Sequence, residues 1–317
     1  MNLKAVTSLL LAMLCISIMD TVIKMLSGDY ALHQLVFFRA AISLPILLPV
    51  LFRHGVMAMQ TQRPGAHLLR GLLLVAANMT FYTGLASLPL AQASTVVFFA
   101  PVIITVFSWR FLGEQFGPFR WLAVLIGLTG MMCVVQPFSV QIEIAYLWPL
   151  AAAFCYAGFT TVTRHIGRTE SAALLAVTAQ GSFLFASALV GLGVGHGEFA
   201  GHNDPGIEFL LRAWRWPASD DTFYFVGIGV LSAITALSIS YAYRSAQASF
   251  LAPFEYSMLP LVLLWGYLAF NEFPDSLALL GIALIAAGGM VVWLDSWQKA
   301  KGLSGRQVSP ETQDPRK

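Results

Sequence analysis

Long apolar runs alternate with short polar breaks along the whole chain. A helix needs about 20 apolar residues to cross a hydrocarbon core ~30 Å thick. Ten segments meet that length: residues 5–25, 31–52, 67–87, 90–110, 119–137, 144–163, 170–195, 221–243, 246–270 and 276–297. Turn formers separate them, among them Ser27-Gly28-Asp29, Pro64-Gly65, Leu88-Pro89, Gly117-Pro118 and Phe273-Pro274-Asp275. One break is long. Within residues 196–220, Asp204-Pro205 reads as a helix start and Pro217 as a stop. Ile207, Leu210, Leu211 and Trp214 recur at helical spacing, which predicts a short amphipathic helix lying on the membrane surface. An ordered loop with a chance apolar stripe is the alternative. After Lys299 the chain is polar, and residues 298–317 read as a disordered cytoplasmic tail.

Composition strengthens this reading. Of 317 residues, 57% are hydrophobic and 11% charged, and mean hydropathy is +0.72. Soluble domains carry about 25% charged residues. So few charges cannot cover the surface of a soluble protein of this size, and the fold class is all-α integral membrane. A net charge of +2 gives nucleic-acid binding no electrostatic support. Cys15, Cys133 and Cys155 lie in apolar runs and make neither a disulfide framework nor a metal site. The first apolar run follows Lys4 as in a signal peptide. It lacks a small-residue cleavage site, and Asp20 and Lys24 interrupt its end, so it is expected to remain as a span. Of the 18 Lys and Arg, fourteen fall on the N-terminal side of the membrane, and only Arg212 and Arg215 on the other. The positive-inside rule then places both termini inside.

The two halves resemble each other. Cys15, Thr21-Val22 and Lys24 match Cys155, Thr161-Val162 and Arg164 at one constant offset, and Leu11-Ala12 match Leu150-Ala151 one residue out of that register. Ala91-Gln92-Ala93-Ser94 recurs as Ala246-Gln247-Ala248-Ser249. Glu114 precedes Gly130 as Glu272 precedes Gly288. Matches in the same order mark a duplication, with residues 5–137 as the first repeat and 144–297 as the second. Each holds five spans. Five is odd, so the second enters from the opposite side, giving ten transmembrane helices as two inverted five-helix repeats. Such repeats let a carrier expose one central site to each side in turn.

Ionisable residues inside a span are costly and face protein or water. Asp20 and Lys24 share a helix face, and Arg39 on the returning span reaches a similar depth. Two readings stand: a structural cluster pinning the first two helices, with Lys24 snorkelling, or an outer gate or substrate-carboxylate site. Glu255 falls near the midplane between Pro253 and Pro260, and its counterpart region Val96–Ala100 is apolar. A midplane carboxylate suits a cationic substrate group or a carried proton; a Glu capped by neighbouring hydroxyls is the structural alternative. Asn78, Tyr82, Tyr156 and Tyr256, with Gln180 and Tyr241, are weaker cavity candidates and each can serve as glue between helices. Pro101, Pro253 and Pro260 are expected to kink the fourth and ninth spans. Gly127, Gly130, Gly288 and Gly289 are expected to allow tight packing of the fifth and tenth. No His-Glu-x-x-His, Gly-x-Ser-x-Gly or Walker lysine occurs, so neither catalytic nor metal residues, cofactor nor direct ATP drive is expected.

Five stretches carry a family resemblance: Met19-Asp20-Thr21-Val22-Ile23-Lys24; Phe37-Phe38-Arg39; Arg70-Gly71-Leu72-Leu73; the fourth span with Pro101 and the closing Gly113-Glu114; and Ala252-Pro253-Phe254-Glu255-Tyr256 running to Asn271-Glu272-Phe273-Pro274-Asp275. Together they resemble the drug/metabolite transporter superfamily with two EamA-type repeats, over residues 5–297. Within it the chain looks most like S-adenosylmethionine uptake permeases. Those carriers resemble Ala-Pro-Tyr-Arg-Tyr where this chain has an acid, Glu255. The resemblance implies spans 1–4 and 6–9 around a cavity, with spans 5 and 10 peripheral. It also implies a secondary carrier in the inner or plasma membrane, surrounded by lipid and acting as monomer or homodimer. Its expected cargo is a small polar amino-acid or nucleoside derivative. A flavin or drug-like amphiphile is the alternative cargo. A membrane-embedded enzyme or receptor is the competing class.

The charge asymmetry has a direct test. In intact cells, an impermeant thiol reagent should label single cysteines at 198–204 and spare those at 55–62. The reverse pattern would invert the orientation.

Overall fold

A computed structural model of the chain describes residues 3–52, 61, 63–112, 118–136, 144–166, 170–245, 254–255 and 257–306. Among them helix is the only regular structure. Hydrocarbon offers no partner for a backbone N–H or C=O, and a helix satisfies both within one segment. The elements are α1 (Leu3–Leu26), α2 (Leu32–Phe52), α3 (Pro64–Ser87), α4 (Leu90–Val97), α5 (Ala100–Leu112), α6 (Pro118–Val135), α7 (Leu147–Ile166), α8 (Ala172–Val194), α9 (Pro205–Leu211), α10 (Thr222–Ser245), α11 (Met258–Phe270) and α12 (Ser276–Arg306). A single 3₁₀ turn, Ile144–Tyr146, leads into α7. Six helical stretches are long and apolar enough to cross a membrane: Leu3–Leu26, Leu32–Phe52, Pro64–Ser87, Ile144–Thr163, Ala173–Val194 and Thr222–Ile239. Shorter apolar stretches occupy Leu90–Ile104, Leu125–Val134, Met258–Phe270 and Ser276–Val291.

The fourth apolar segment is two helices, not one kinked helix. α4 ends at Phe98, whose N–H bonds Ser94 O, and α5 begins at Ala100. Pro101 is the second residue of α5, where its missing N–H costs nothing. Pro260 likewise lies in the first turn of α11; Pro253 is outside the described residues. α12 continues to Arg306, so residues 298–306 are helical where a disordered tail was expected.

Packing pairs α1 with α10, α3 with α7, α2 with α8 and α6 with α12. α1 also lies along α11, and α4 touches α11 and α7. Leu9, Ile23, Leu35, Leu85, Ile228 and Val262 join one apolar core across α1, α2, α3, α10 and α11. Gly130 on α6 and Gly281 on α12 bring these two helices close. A Cβ at Gly130 would lie 2.8 Å from the Gly281 carbonyl, and one at Gly281 would lie 2.6 Å from Val134 Cγ2. Asp275 caps α12, accepting from Ala278 N–H at 2.7 Å, and takes the Gln136 amide at 2.9 Å. The Gln136 bond, with the capping N–H, holds its carboxyl below the usual range.

The long break between α8 and α10 holds the expected short helix, α9, and packs it against α3. Asp204 caps α9 by accepting from Ile207 N–H at 2.9 Å, but the helix ends at Leu211, before Pro217. Gly206 and Phe209 are its buried residues, and Gly206 sits against the Thr83 carbonyl of α3. The predicted face of Ile207, Leu210, Leu211 and Trp214 is only half-buried. The loop is also held by polar contacts. The His33 ring bonds Leu210 O at 3.2 Å and stacks on Trp214, with centroids 5.8 Å apart. Arg212 donates to Ser27 O at 2.8 Å, Arg215 pairs with Asp29 at 2.9 Å, and the Tyr30 hydroxyl donates to Asp221 at 2.6 Å. The amides of His202 and Gly201 both donate to Glu208, and with Arg212 beside it they hold its carboxyl below the usual range.

The glycine contact carries a prediction. Gly130→Val should separate α6 from α12 at a cost of about 1–3 kcal/mol, as overpacking does elsewhere. Thermal unfolding in detergent should show a lower midpoint; an unchanged midpoint would contradict the close approach.

Candidate functional site

Asp20, Arg39 and Tyr82 are 3%, 2% and 1% exposed and meet between α1, α2 and α3. Each lies roughly two turns from the same end of its helix, about 8–11 Å in. The Tyr82 hydroxyl donates to Asp20 Oδ1 at 2.7 Å and accepts from Arg39 Nη1 at 3.3 Å. Arg39 Nη2 donates to Asn78 Oδ1 at 3.0 Å. The guanidinium lies 4.7 Å from the Phe183 ring of α8 and 5.8 Å from that of Tyr82. Its Nε–H has no hydrogen-bond partner among the described residues.

This arrangement corrects the expected Asp20–Lys24–Arg39 cluster in two ways. Asp20 and Arg39 form no direct ion pair; a phenol stands between them. Lys24 leaves the cluster altogether. It donates to Glu272 Oε1 and Oε2 at 2.8 and 2.9 Å and to Leu88 O at 2.8 Å. Glu272 also accepts from Leu90 N–H at 3.0 Å, at the start of α4. The reason is direction. Lys24 is in the last turn of α1, where its side chain reaches the corner between α3 and α4. Asp20, one turn deeper, reaches only Tyr82.

A second locus joins α7 to the ninth apolar segment. The Glu255 carboxylate lies near enough to Tyr156 to act on its hydroxyl electrostatically. Tyr156 stacks near Phe159, with centroids 5.9 Å apart. Tyr256 is outside the described residues. Gln180 donates to Ser232 at 2.9 Å and ties α8 to α10, while Tyr241, at 46% exposed, faces outward. Thus Asp20, Arg39, Tyr82 and Asn78 form one group, Tyr156 and Glu255 another, and Lys24 a third with Glu272.

Arg70 is one of the fourteen cations that the charge asymmetry places on the inner side. Its depth was legible, since Pro64-Gly65 starts α3 and leaves Arg70 more than a turn inside. It is buried, with Nε donating to Thr163 at 2.9 Å and Nη1 to Leu175 O at 3.1 Å; its guanidinium also lies over Phe159. Nearby, Thr61 donates to Glu170 at 2.7 Å and His67 lies 3.6 Å from the same carboxylate oxygen. These groups pin the start of α3 to α7 and α8. Among the described residues no three His, Cys, Asp or Glu gather as a metal site would need.

Apolar helices enclosing buried, mutually bonded polar side chains are the build of a multi-pass membrane protein, and the matches to known proteins give its class. Residues 3–136 and again 143–294 match the EamA-like transporter family, and the chain belongs to it. It is 27% identical to a riboflavin transporter of Vibrio cholerae over 95% of this chain and 96% of that protein. It is 30% identical to a riboflavin transporter of Rhizobium johnstonii over 80% and 78%. It is 25% identical to an S-adenosylmethionine uptake transporter of Rickettsia prowazekii over 95% of each. A solved crystal structure with 19% identity shares the fold, at a TM-score of 0.61 over 96% of this chain and 99% of that one.

The phenol bridge is testable. Tyr82→Phe removes the Asp20 donor and one Arg39 acceptor together. Leaving buried polar groups unmet costs about 1–3 kcal/mol, more where they are charged. Chemical unfolding in detergent should show that loss, and wild-type stability would remove Tyr82 from the network.

Proposed function

We infer that the chain is a secondary carrier working by alternating access, with ten spans in two inverted repeats and both termini inside. Its proposed cargo is a small polar organic metabolite bearing a cationic group, an amino-acid or nucleoside derivative such as S-adenosylmethionine, moved across the inner membrane. The helix pairing carries this reading. Exchanging the halves, with spans 1 to 5 becoming 6 to 10, turns the α1–α10 pair into α7–α3. The α2–α8 and α6–α12 pairs map onto themselves. The two loci of polar groups then line the path between the halves, with Arg39 Nε–H and Glu255 as the groups that meet solute. The S-adenosylmethionine relatives favour a nucleoside derivative, and the acid at 255, where those carriers resemble a base, favours a cationic group by its own charge. The two riboflavin relatives favour a flavin, the second reading.

Counterflow in proteoliposomes decides between them, with labelled S-adenosylmethionine and riboflavin as the solutes. Glu255→Gln should keep the fold and lower transport of a cationic solute at least tenfold, about 1.4 kcal/mol. If Glu255 holds the solute, equilibrium affinity falls with it. If it carries a proton, affinity persists and the pH dependence of transport disappears. A variant with wild-type transport, affinity and pH profile returns Glu255 to a structural role. Riboflavin counterflow untouched by the substitution establishes the flavin reading.

A further inference from the structure

We propose that the seam between α1 and α11 is the outer gate of this carrier, and that Lys24 and Glu272 are its latch. The proposal rests on the alternating-access reading above.

Two polar rungs cross the seam. Trp265 Nε1 donates to Ser17 Oγ at 3.1 Å, and Lys24 pairs with Glu272. Ser17 and Lys24 are seven residues apart on α1, as Trp265 and Glu272 are along α11 and its exit. At 1.5 Å per residue the rungs are about 10 Å apart. The two helices therefore run in the same direction and in register, zipped from mid-depth to the outer end. Asn271 makes the last step possible. It adopts a left-handed conformation, φ 54°, and the turn returns the Glu272 N–H to Gly266 O at 3.0 Å. This aims the carboxylate back at α1.

The latch gathers the loose ends of several elements. An ammonium has three N–H donors, and Lys24 directs them to both oxygens of Glu272 and to the carbonyl of Leu88. The carboxylate also accepts from Leu90 N–H, one of the orphan amides at the start of α4. Phe270 lies 4.7 Å below the ammonium. One ion pair thus ties the end of α1 and the α3–α4 corner, in the first half, to the end of α11, in the second.

Other contacts also join the halves at the outer end, notably Tyr30 with Asp221 and Arg215 with Asp29. They link the α1–α2 corner to the start of α10. Exchanging the halves turns them into the link between the α7–α8 corner and the start of α3, made by Glu170 with Thr61 and His67. Both links are closed in one structure. Contacts made at both ends together are scaffold and cannot alternate. The latch differs from them in construction. It lies at the start of α4, the short helix whose far end is the break at Phe98–Phe99, and its side chains are 10% and 30% exposed. Water can reach the carboxylate and solvate both charges as they part, so opening does not strand an ion in hydrocarbon.

A thiol reporter tests the gate apart from transport. Ser17→Cys is placed below the latch in a background where Cys15, Cys133 and Cys155 are Ala. In right-side-out proteoliposomes an impermeant reagent should label it slowly. Lys24→Gln or Glu272→Gln should each raise the rate about tenfold by moving population from closed to open. The double exchange Lys24→Glu with Glu272→Lys should label more slowly than either charge-reversed single variant but faster than the parent, because the Leu88 carbonyl and the Leu90 N–H keep their polarity. If the single variants stay monodisperse and label as slowly as their parent, the latch is not a gate. The same holds if they merely melt at lower temperature without faster labelling. Counterflow by the parent protein is measured alongside. Its absence overturns the carrier reading, whereas counterflow with indifferent labelling overturns the gate alone.

Discussion

A guanidinium inside hydrocarbon must find acceptors within the protein, and Arg39 sets much of this structure by that need. Its two terminal nitrogens reach Tyr82 and Asn78, both on α3, one at each side of a helical turn. Tyr82 then passes a hydrogen bond to Asp20 on α1. Three helices are held by groups that solvate one another. The phenol matters here because it donates and accepts at once. It lets a buried acid and a buried base share one network without direct contact, and the Phe183 ring from α8 covers the cation's face.

The same constraint explains which features were legible in the sequence. Apolar length located the helices because hydrocarbon thickness is a fixed ruler, and α2, α3 and α8 begin and end within a few residues of their expected bounds. Charge within a span marked Asp20, Arg39 and Glu255 for the same reason. What spacing could not supply was the partner. Lys24 and Asp20 are one turn apart and share a face, yet one turn of helix decides between the α3–α4 corner and the interior of α3. Glu272 was visible only as a repeat match near a turn, and nothing local announces that it ends in the grip of Lys24, far earlier in the chain.

The loop before α10 was legible only in its short helix, for a different reason. Its stripe of Ile207, Leu210, Leu211 and Trp214 has the period of an amphipathic helix. Period alone does not say whether the apolar face meets lipid or protein. Gly206 decided it: a residue without a side chain lets α9 approach the Thr83 carbonyl, and Phe209, one turn on, becomes the buried anchor. The shorter helix then frees Arg212 and Arg215 to bind the α1–α2 corner. A glycine in the first turn beside a helix-starting Asp-Pro was the available signal.

Duplication and function pull such a chain in opposite directions. Matching halves favour matching contacts, and the scaffold obeys: α1–α10 has its counterpart in α7–α3, and the two corner links repeat one another. The polar loci do not. Asp20, Tyr82, Asn78 and Arg39 stand at one end of the first three helices, whereas Tyr156 and Glu255 stand on α7 and beside α11. Glu255 corresponds by repeat to the region of Val96–Ala100, and there the chain has no acid but a break, between α4 and α5. In the other half, α11 begins only at Met258, just after Glu255. The acid is thus present in one half and absent from the corresponding region of the other. The break between α4 and α5 frees backbone groups at that depth in the first half. A duplicated scaffold does not require an acid in one half only, and that asymmetry is why Glu255, rather than the break, is proposed to meet solute.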